Sequence, residues 1–169
     1  MKNLRKIFYK KKIIITGHTG FKGSWLSLWL SKMGADVLGI SDNIQTQPSF
    51  FKVCKLEKCI KHSILDIRKF KKLKKKIESF KPDFIFHLAA QALVKKSYEF
   101  PLLTWQTNTL GTLNLLEVLR KYKKKCTVIL ITSDKAYKNL EIKRGYHEND
   151  ILAGVDPYSA SKSSADIAI

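Results

Sequence analysis

The sequence predicts an α/β fold in which a doubly wound parallel sheet carries helices on both faces. Short runs of β-branched and aromatic residues alternate along the chain with longer segments whose apolar residues recur at helical spacing. Glycines or polar clusters separate most of these segments. Apolar residues make up 44% of the 169, which is enough for one domain with a sizeable core. Strands that alternate with helices pair in parallel through right-handed crossovers.

The first strand, helix and second strand form one βαβ unit. Residues 13–16 are a β-branched run that ends at a glycine, and such a run suits a strand buried on both faces. Residues 21–33 place apolar side chains near helical spacing, and Gly34 supplies a stop signal. Residues 36–40 predict the second strand. Residues 41–49 are polar and contain a proline, so we expect an exposed connection there.

The alternation continues through the rest of the chain. We expect a short third strand, a lysine-rich amphipathic helix, a fourth strand, a long helix and a fifth strand, at residues 58–67, 68–80, 83–88, 100–122 and 128–131. A polar loop then leads to a helix that opens at Tyr158. This last pattern meets no stop signal before Ile169, so we expect residues 1–169 to be an incomplete domain, truncated before a sixth strand.

The chain is strongly basic. It has 32 Lys and Arg against 14 Asp and Glu, which gives a net charge of +18. The lysines fall mainly in short runs at 10–12, 71–76 and 121–125, which border apolar segments or lie on predicted helix surfaces. Because no basic and aromatic recognition motif accompanies them, solvated faces are favoured and we expect no nucleic-acid partner. A non-catalytic dinucleotide-binding or RNA-binding module is the alternative from another functional class.

The three cysteines are too few and too irregularly spaced for a disulfide framework or a zinc site. We expect reduced thiols at Cys54, Cys59 and Cys126, and no metal centre. The basic N-terminus is followed by only a short apolar run, which lacks the length of a secretory signal or a membrane span. These features favour a cytoplasmic enzyme with no membrane partner.

Three glycines mark the turn between the first strand and the first helix. Gly17, Gly20 and Gly23 have the spacing GxxGxxG, in which glycines permit a tight turn and a close approach of the backbone to a pyrophosphate. The helix N-terminus then faces the anion with its free N–H groups and the positive end of its dipole. The turn therefore predicts a Rossmann sheet with a dinucleotide site, although an ordinary tight turn would show the same spacing.

Two aspartates are candidate contacts for the adenosine of such a dinucleotide. Asp42 lies about 20 residues after Gly23, where a carboxylate would bind the ribose hydroxyls and favour NAD over NADP. Asp66 follows the third strand, where it would accept a hydrogen bond from the adenine amine. Each has a plain alternative: Asp42 as a polar loop residue, and Asp66 as the N-cap of the helix from residue 68.

Two further clusters carry acid–base groups. Tyr158 and Lys162 stand at i and i+4 and so share one face of a helix, where the cation favours the tyrosinate and lets it accept a proton from a hydroxyl. Ser133, Asp134 and Lys135 follow the fifth strand, and ligands gather at the carboxyl ends of strands in open α/β sheets. A polar turn would explain the second cluster if the first were absent.

These residues resemble the extended short-chain dehydrogenase/reductases over nearly the whole chain. The likeness rests on the glycine turn, on His-Leu-Ala-Ala-Gln at 87–91, on Asn-Thr-Leu-Gly-Thr at 108–112, and on Tyr158 with Lys162. Longer strings are the more specific evidence. They are similar to the subgroup of nucleotide-sugar 4,6-dehydratases that acts on CDP-glucose, and they lie at 17–26, 46–51 and 156–162.

The resemblance implies NAD as the cofactor. It also implies that contacts with NAD come from the glycine turn, the two aspartates, the end of the fourth strand, the long helix and the tyrosine–lysine pair. The implied residues are Gly17, Thr19, Gly20, Phe21, Lys22, Gly23, Asp42, Asp66, Ile67, Leu88, Ala89, Ala90, Gln91, Asn108, Tyr158 and Lys162.

The resemblance implies a dehydration without net redox change. Hydride leaves C4 of the sugar, water is lost across C5 and C6, and hydride returns to C6, which gives a 4-keto-6-deoxy sugar nucleotide. Tyr158 would take the 4-hydroxyl proton, Ser133 would hydrogen-bond the 4-oxygen, and Lys162 would hold the nicotinamide ribose. Asp134 would protonate the departing 6-hydroxyl. Lys135 stands where many nucleotide-sugar dehydratases have glutamate, and desolvation or neighbouring cations would have to keep it neutral to remove the C5 proton.

The resemblance also implies more protein than residues 1–169. Family members carry a C-terminal domain that binds the nucleotide sugar, and this substrate domain is absent from the sequence. We expect the full-length enzyme to form a homo-oligomer and to act in deoxysugar biosynthesis, as for lipopolysaccharide O-antigen. A related dehydratase or epimerase for a GDP- or UDP-sugar is the alternative within enzymes.

Overall fold

The computed structural model describes residues 2–169, which contain a five-stranded sheet. Its strands lie in the order β3-β2-β1-β4-β5, and each neighbouring pair is parallel. The strands are β1 (Lys12–Thr16), β2 (Asp36–Ser41), β3 (Lys61–Ile64), β4 (Phe84–His87) and β5 (Thr127–Leu130). The predicted parallel sheet is confirmed, because each predicted strand is present.

Helices precede and follow the strands along the described residues. They are α1 (Lys2–Phe8), α2 (Phe21–Lys32), α3 (Phe50–Val53), α4 (Phe70–Phe80), α5 (Val94–Glu99), α6 (Pro101–Trp105), α7 (Gly111–Arg120) and α8 (Pro157–Ala168). Short 3₁₀ turns occur at Leu56–Lys58 and Asp134–Ala136, and a π turn lies at Gln106–Leu110. The sequence pattern did not predict α1, α3 and α5.

Two apolar clusters cover the two faces of the sheet. One joins α4 and α7 to the sheet, and the other joins α2 and α3. Ile14 of β1 belongs to the first cluster, whereas its neighbours Ile13 and Ile15 belong to the second, and all three are fully buried. This alternation explains why β1 is an unbroken β-branched run. The helices on both faces confirm the doubly wound arrangement.

The helix predicted from residue 68 begins later, at Phe70. Its N-cap is Lys69, which makes no side-chain capping bond, so the N-cap alternative for Asp66 is wrong. The cause is a local turn. The Arg68 N–H donates to Asp66 Oδ1 at 2.8 Å, and the Lys69 N–H donates to the Asp66 carbonyl at 3.0 Å. The first bond occupies the Asp66 carboxylate, and the second closes a turn before the helix starts.

The long helix predicted at 100–122 is interrupted by the π turn and ends at Arg120. It starts at Pro101, as the sequence indicates. The Thr112 hydroxyl donates to the Asn108 carbonyl at 2.7 Å beside the interruption. Ile67 packs closely on Gly111. A Cβ added to this glycine would lie 2.6 Å from Ile67 Cδ1. Side-chain bonding and close packing thus accompany the wider turn.

The connection predicted as exposed at residues 41–49 is buried at both ends. Ser41 is the last residue of β2 rather than the first of the loop. Ser49 caps α3, where its side chain accepts the Lys52 N–H at 3.2 Å. Polar composition alone therefore misplaced these two serines.

Candidate active site

The glycine turn packs backbone against backbone between β1 and α2. Gly17 has a φ of +75°, which favours glycine. A Cβ on Gly17 would lie 2.8 Å from the Ala89 nitrogen, and one on Gly23 would lie 2.1 Å from the Gly17 carbonyl oxygen. Gly20 is less tightly enclosed, since its Cβ would lie 3.3 Å from the same oxygen. The turn therefore requires glycine most strongly at its first and last positions.

The N-terminus of α2 is free to bind an anion. Its N-cap, Gly20, makes no side-chain capping bond, and the first turn contains no acidic residue. The N–H groups of Phe21, Lys22 and Gly23 precede the first intrahelical bond, which the Ser24 N–H donates to the Gly20 carbonyl at 2.8 Å. These N–H groups, the helix dipole and the exposed Lys22 ammonium fit the phosphates of a dinucleotide.

An aromatic cluster beside the turn connects α2 to the segment after β2. Trp25 stacks on Phe50 with ring centroids 4.3 Å apart, and Phe21 meets Phe50 edge-on at 6.2 Å. Phe21 remains 71% exposed, so its ring is not part of the core. The sequence predicted the helix at residues 21–33 and the resemblance at residues 17–26, but it did not predict this contact.

The two predicted adenosine contacts lie near an arginine that the sequence analysis missed. Arg68 Nε donates to both oxygens of Asp66, at 3.0 and 2.9 Å, and Arg68 Nη2 lies 2.7 Å from Oδ2. Burial acts to raise the pKa of Asp66, but the Arg68 hydrogen bonds outweigh it and hold that pKa below its usual value. The hydrogen bond to Asp66, with a smaller effect of the exposed Asp42 carboxylate, raises the pKa of Arg68. The sequence signal that could have predicted this ion pair is an arginine two residues after an aspartate at the end of a strand.

Buried hydrogen bonds hold the end of β4. His87 Nδ1 lies 2.8 Å from Thr16 Oγ1, and His87 Nε2 lies 3.2 Å from Thr112 Oγ1. Thr16 Oγ1 accepts the Ala89 N–H at 3.1 Å, while Thr112 Oγ1 donates to the Asn108 carbonyl at 2.7 Å. The ring therefore accepts at Nδ1 and donates from Nε2. Burial lowers the pKa of His87 to about 4, which keeps the ring neutral.

Gln91 and Asn108, both predicted to contact the cofactor, are bonded to each other. The Gln91 N–H donates to Asn108 Oδ1 at 2.8 Å, and Asn108 Nδ2 donates to the Gln91 carbonyl at 3.1 Å. Asn108 Nδ2 also donates to Ser161 Oγ at 2.9 Å, and Asn108 is only 1% exposed. Asn108 thus connects the loop after β4 to α8, and its contact with a cofactor stays a prediction.

Other predicted cofactor residues lie along the same carboxyl edge of the sheet. Thr19 is buried, and its hydroxyl donates to the Asn43 carbonyl at 2.6 Å. Ile67 is buried, and its carbonyl accepts from Asn114 Nδ2 at 3.1 Å. Three partly buried residues directly follow β4, namely Leu88, Ala89 and Ala90. The structure therefore brings these five residues to one edge of the sheet.

The start of α8 is fixed by capping and by a contact with α5. Asp156 Oδ1 accepts the Ser159 N–H at 2.9 Å, and Pro157 occupies the first helical position. The Tyr158 N–H donates to Ser97 Oγ of α5 at 3.1 Å. The unpredicted helix α5 therefore positions the backbone of the predicted tyrosine.

Lys162 is a buried cation at the carboxyl end of β5. It is 6% exposed, and its Nζ donates to the Ile131 carbonyl at 2.9 Å. Burial lowers the pKa of Lys162, while the nearby Asp166 carboxylate opposes this effect. An ammonium carries three donors, and this one makes a single hydrogen bond to described residues. Lys162 therefore retains donors for a ligand.

Ser133, Asp134 and Lys135 form a turn at the end of β5. Ser133 Oγ donates to Asp134 Oδ1 at 3.2 Å and accepts the Lys135 N–H at 3.2 Å. The turn packs on α8, where Ser163 Oγ donates to the Ala136 carbonyl at 2.6 Å. The structure thus brings this cluster to the same strand end as Lys162, while the side chains of Asp134 and Lys135 are exposed.

An open groove of about 290 Å³ lies between β3 and α4. It is lined by Ser63, Leu65, Lys72, Lys75, Lys76 and Ser79, none of which belongs to the predicted site. Across residues 2–169, no three His, Cys, Asp or Glu side chains are grouped as a metal ion would require. Within the same range, no helix combines the length and apolar character needed to cross a membrane.

Known sequences resemble the chain over most of its length. The family GDP-mannose 4,6 dehydratase matches residues 14–169. The chain is 49% identical to CDP-glucose 4,6-dehydratase of Salmonella typhimurium over 157 residues, which are 93% of this chain and 44% of the relative. It is 31% identical to CDP-paratose 2-epimerase of Salmonella typhi over 172 residues, 92% of this chain and 51% of the relative. The chain therefore spans about half the length of these curated relatives.

Solved structures share the fold. UDP-glucose 4-epimerase of Thermotoga maritima, solved with UDP-glucose, matches with a TM-score of 0.81 and 27% identity over 93% of this chain and 49% of that one. UDP-glucose 4-epimerase of Thermus thermophilus, solved in complex with NAD, matches with a TM-score of 0.79 and 29% identity over the same shares. The fold, the glycine turn and the family match together show that the chain belongs to the GDP-mannose 4,6 dehydratase family of extended short-chain dehydrogenase/reductases.

Proposed function

We propose that residues 1–169 are the NAD-binding part, an incomplete Rossmann domain, of a CDP-glucose 4,6-dehydratase. One observation carries the proposal: the uncapped N-terminus of α2 and the buried ammonium of Lys162 flank the end of β4. A dinucleotide needs an anion site for its pyrophosphate and a donor for its nicotinamide ribose. The two features supply these groups on the same edge of the sheet.

NAD supplies an acceptor for the C4 hydride of the sugar and later a donor of that hydride to C6. The N–H groups of Phe21, Lys22 and Gly23 would hold its phosphates. Asp42 and Asp66 would hold its adenosine, and the remaining predicted residues line the same carboxyl edge. The enclosed glycine turn supports this assignment, because a Cβ would fill the space that a phosphate-binding backbone needs.

Proton removal from the 4-hydroxyl falls to Tyr158. Lys162, one helical turn further on, favours the phenolate by its charge and uses its free donors on the nicotinamide ribose. Ser133 hydrogen-bonds the 4-oxygen from the end of β5. The packing of the Ser133 turn on α8 supports this grouping of Tyr158, Lys162 and Ser133.

Loss of water across C5 and C6 requires an acid and a base. Asp134 protonates the departing 6-hydroxyl, and Lys135 removes the C5 proton. Both side chains are exposed at the end of β5, where a substrate can reach them. A bound sugar nucleotide and further protein over this turn would supply the burial that a neutral Lys135 amine needs.

The choice of CDP-glucose rests on the 49% identity to a CDP-glucose 4,6-dehydratase and on Lys135 in place of the usual glutamate. The test is turnover by the protein that carries this chain, supplied with NAD⁺ and CDP-glucose. We expect a 4-keto product that absorbs in alkali. GDP-mannose and UDP-glucose serve as parallel substrates, and product from either of them without product from CDP-glucose would reject the substrate. Absence of NAD⁺ binding in calorimetry would reject the cofactor.

A second candidate, a non-catalytic RNA-binding module, is favoured by the groove between β3 and α4. Lys72, Lys75 and Lys76 line it, and none of the three makes an ion pair with the described residues. In contrast, Lys74 on the same helix lies 3.9 Å from Glu78. Unpaired lysines beside a groove are able to bind phosphates without reading sequence. Salt-dependent RNA binding distinguishes this candidate from the dehydratase.

A further inference from the structure

His18 is the second residue of the glycine turn, yet it is fully buried. Its ring lies against β2, where a Cβ on Gly39 would come within 2.2 Å of the imidazole. The ring of Phe51 meets it edge-on at a centroid distance of 5.1 Å. A glycine inside a strand often marks a close approach of other atoms, and Gly39 admits this ring. His18 is thus enclosed by protein rather than presented to a phosphate.

The imidazole is hydrogen-bonded to the side chain that ends β2. His18 Nδ1 lies 3.0 Å from Ser41 Oγ. Ser41 Oγ already accepts the Thr19 N–H at 3.3 Å, so its proton is free to be donated to Nδ1. Burial lowers the pKa of His18 to about 4, so the imidazole is neutral near pH 7. His18 Nε2 has no hydrogen-bond partner among the described residues.

The same contacts fix the backbone on either side of the ring. The His18 carbonyl accepts from Ser24 Oγ of α2 at 2.8 Å, and Thr19 Oγ1 donates to the Asn43 carbonyl at 2.6 Å. The turn is therefore tied to β2 through Ser41 and to α2 through Ser24. This stretch of backbone leads directly into the start of α2, where Phe21, Lys22 and Gly23 carry the N–H groups that precede the first intrahelical bond.

We propose that His18 is a positioning residue for the phosphate-binding turn, which it holds through the Ser41 hydroxyl so that the N–H groups of Phe21, Lys22 and Gly23 converge before a dinucleotide binds. This rests on the proposed NAD site and deepens it. His18 touches no reacting atom; it acts through Ser41 and Thr19. Preorganised donors bind an anion more tightly than donors that must be ordered on binding.

The proposal is tested with His18→Leu, which fills a similar volume without an acceptor, and with Ser41→Ala. Each variant is expected to weaken NAD⁺ binding in calorimetry by about five- to tenfold, the usual effect of one hydrogen bond. The double variant should bind about as weakly as either single variant, because the two side chains act as one unit. His18→Asn keeps an acceptor near the position of Nδ1 and should bind more tightly than His18→Leu.

Ser27→Ala is the matched control. Ser27 is equally buried, but its hydroxyl donates at 2.7 Å to the Gly23 carbonyl within α2. If His18→Leu binds NAD⁺ as tightly as Ser27→Ala, or if the two losses simply add in the double variant, the positioning role is wrong. A lower thermal midpoint for His18→Leu with unchanged NAD⁺ affinity would assign the ring to packing alone.

Hydrogen exchange measured without ligand tests the positioning role of His18 independently of the proposed NAD site. In hydrogen exchange of the ligand-free chain, His18→Leu should speed exchange of the Thr19 amide by about tenfold while the amides of β4 keep their rates. If the parent chain fails to bind NAD⁺ but this local acceleration appears, the cofactor assignment fails and the positioning of the turn stands. Unchanged Thr19 exchange in His18→Leu would overturn the positioning role whatever the chain binds.

Discussion

The glycine turn and the Ser133 turn both follow a strand of the same parallel sheet, but the chain fixes them differently. At the first, backbone atoms enclose the glycines, and the side chains of His18 and Ser41 are buried. At the second, hydrogen bonds within the turn orient Ser133, while Asp134 and Lys135 project from the surface. The described residues therefore form a closely packed turn, the proposed phosphate cradle, beside an exposed set of proposed acid–base groups. Cofactor binding should depend mainly on contacts inside this chain, and sugar chemistry on what comes to cover the Ser133 turn.

The largest effect on turnover is expected from Lys162→Met, which removes the cation beside the proposed acid–base groups and leaves the glycine turn unchanged. Turnover should fall by roughly 10²–10⁴-fold, because the tyrosinate loses the cation that favours it. The thermal midpoint should stay at or above that of the parent, since a buried charge with one hydrogen bond gives way to an apolar side chain. Steady-state kinetics and thermal melting measure the two quantities.

Lys143→Met serves as the control for Lys162→Met, because Lys143 is exposed. It should leave both turnover and melting unchanged. If Lys162→Met lowers the thermal midpoint enough to explain its lost turnover, the buried ammonium stabilises the fold. The lost turnover would then not be evidence for a role of Lys162 in the reaction.

Gly23→Ala tests the preorganised region alone. The added Cβ would lie 2.1 Å from the Gly17 carbonyl oxygen, so the turn must shift. Overpacking of this kind costs about 1–3 kcal/mol, and we expect NAD⁺ affinity to fall by about 10- to 100-fold. Gly145→Ala is the matched control, since nothing lies within 4 Å of its Cβ position. Equal affinities of the two variants in calorimetry would place the dinucleotide somewhere other than this turn.

The same contrast explains how far sequence could predict the molecule. The run of Ile13, Ile14 and Ile15 predicted β1 because each side chain is buried on one of two covered faces. The spacing of the glycines predicted their turn because the backbone contacts leave no room for a side chain. Such local and repeated constraints are visible in one sequence.

Features that depend on distant contacts were not predictable in this way. Helix α5 is short, and its role became visible only through the bond between Ser97 and Tyr158. The capping alternative for Asp66 was wrong because its carboxylate bonds the Arg68 N–H and guanidinium before the helix begins. His18 gave no sequence signal beyond its place in the turn, since its partners Gly39 and Ser41 come from another strand.

Arg68→Gln tests whether the adenosine side of the cradle depends on the ion pair with Asp66. If Arg68 holds the carboxylate for the adenine amine, affinity for NAD⁺ should fall by about tenfold, as for loss of a charged hydrogen bond. Affinity for the hypoxanthine analogue of NAD⁺ should change little, because hypoxanthine lacks that amine. Asp66→Asn should show the same selectivity.

Arg120→Gln is the control for Arg68→Gln, because Arg120 makes an exposed ion pair with Glu117 at 2.7 Å on α7. It should bind both dinucleotides like the parent. Equal losses of the two dinucleotides in Arg68→Gln would mean that the guanidinium attracts the phosphates generally and does not act through the adenine amine.

The smallest effect on the cradle is expected at the groove between β3 and α4, which lies outside both regions. Replacing Lys72, Lys75 and Lys76 by glutamine should leave NAD⁺ affinity unchanged, because none of the three belongs to the predicted cofactor site. Binding of unrelated single-stranded RNA is measured over a range of salt concentrations. Three neutralised phosphates would give a slope of about −2 in log affinity against log salt. The dehydratase proposal predicts no such slope. If the parent shows the slope and the triple variant loses it, the groove is a nucleic-acid site, because only those three lysines would then account for the released counterions.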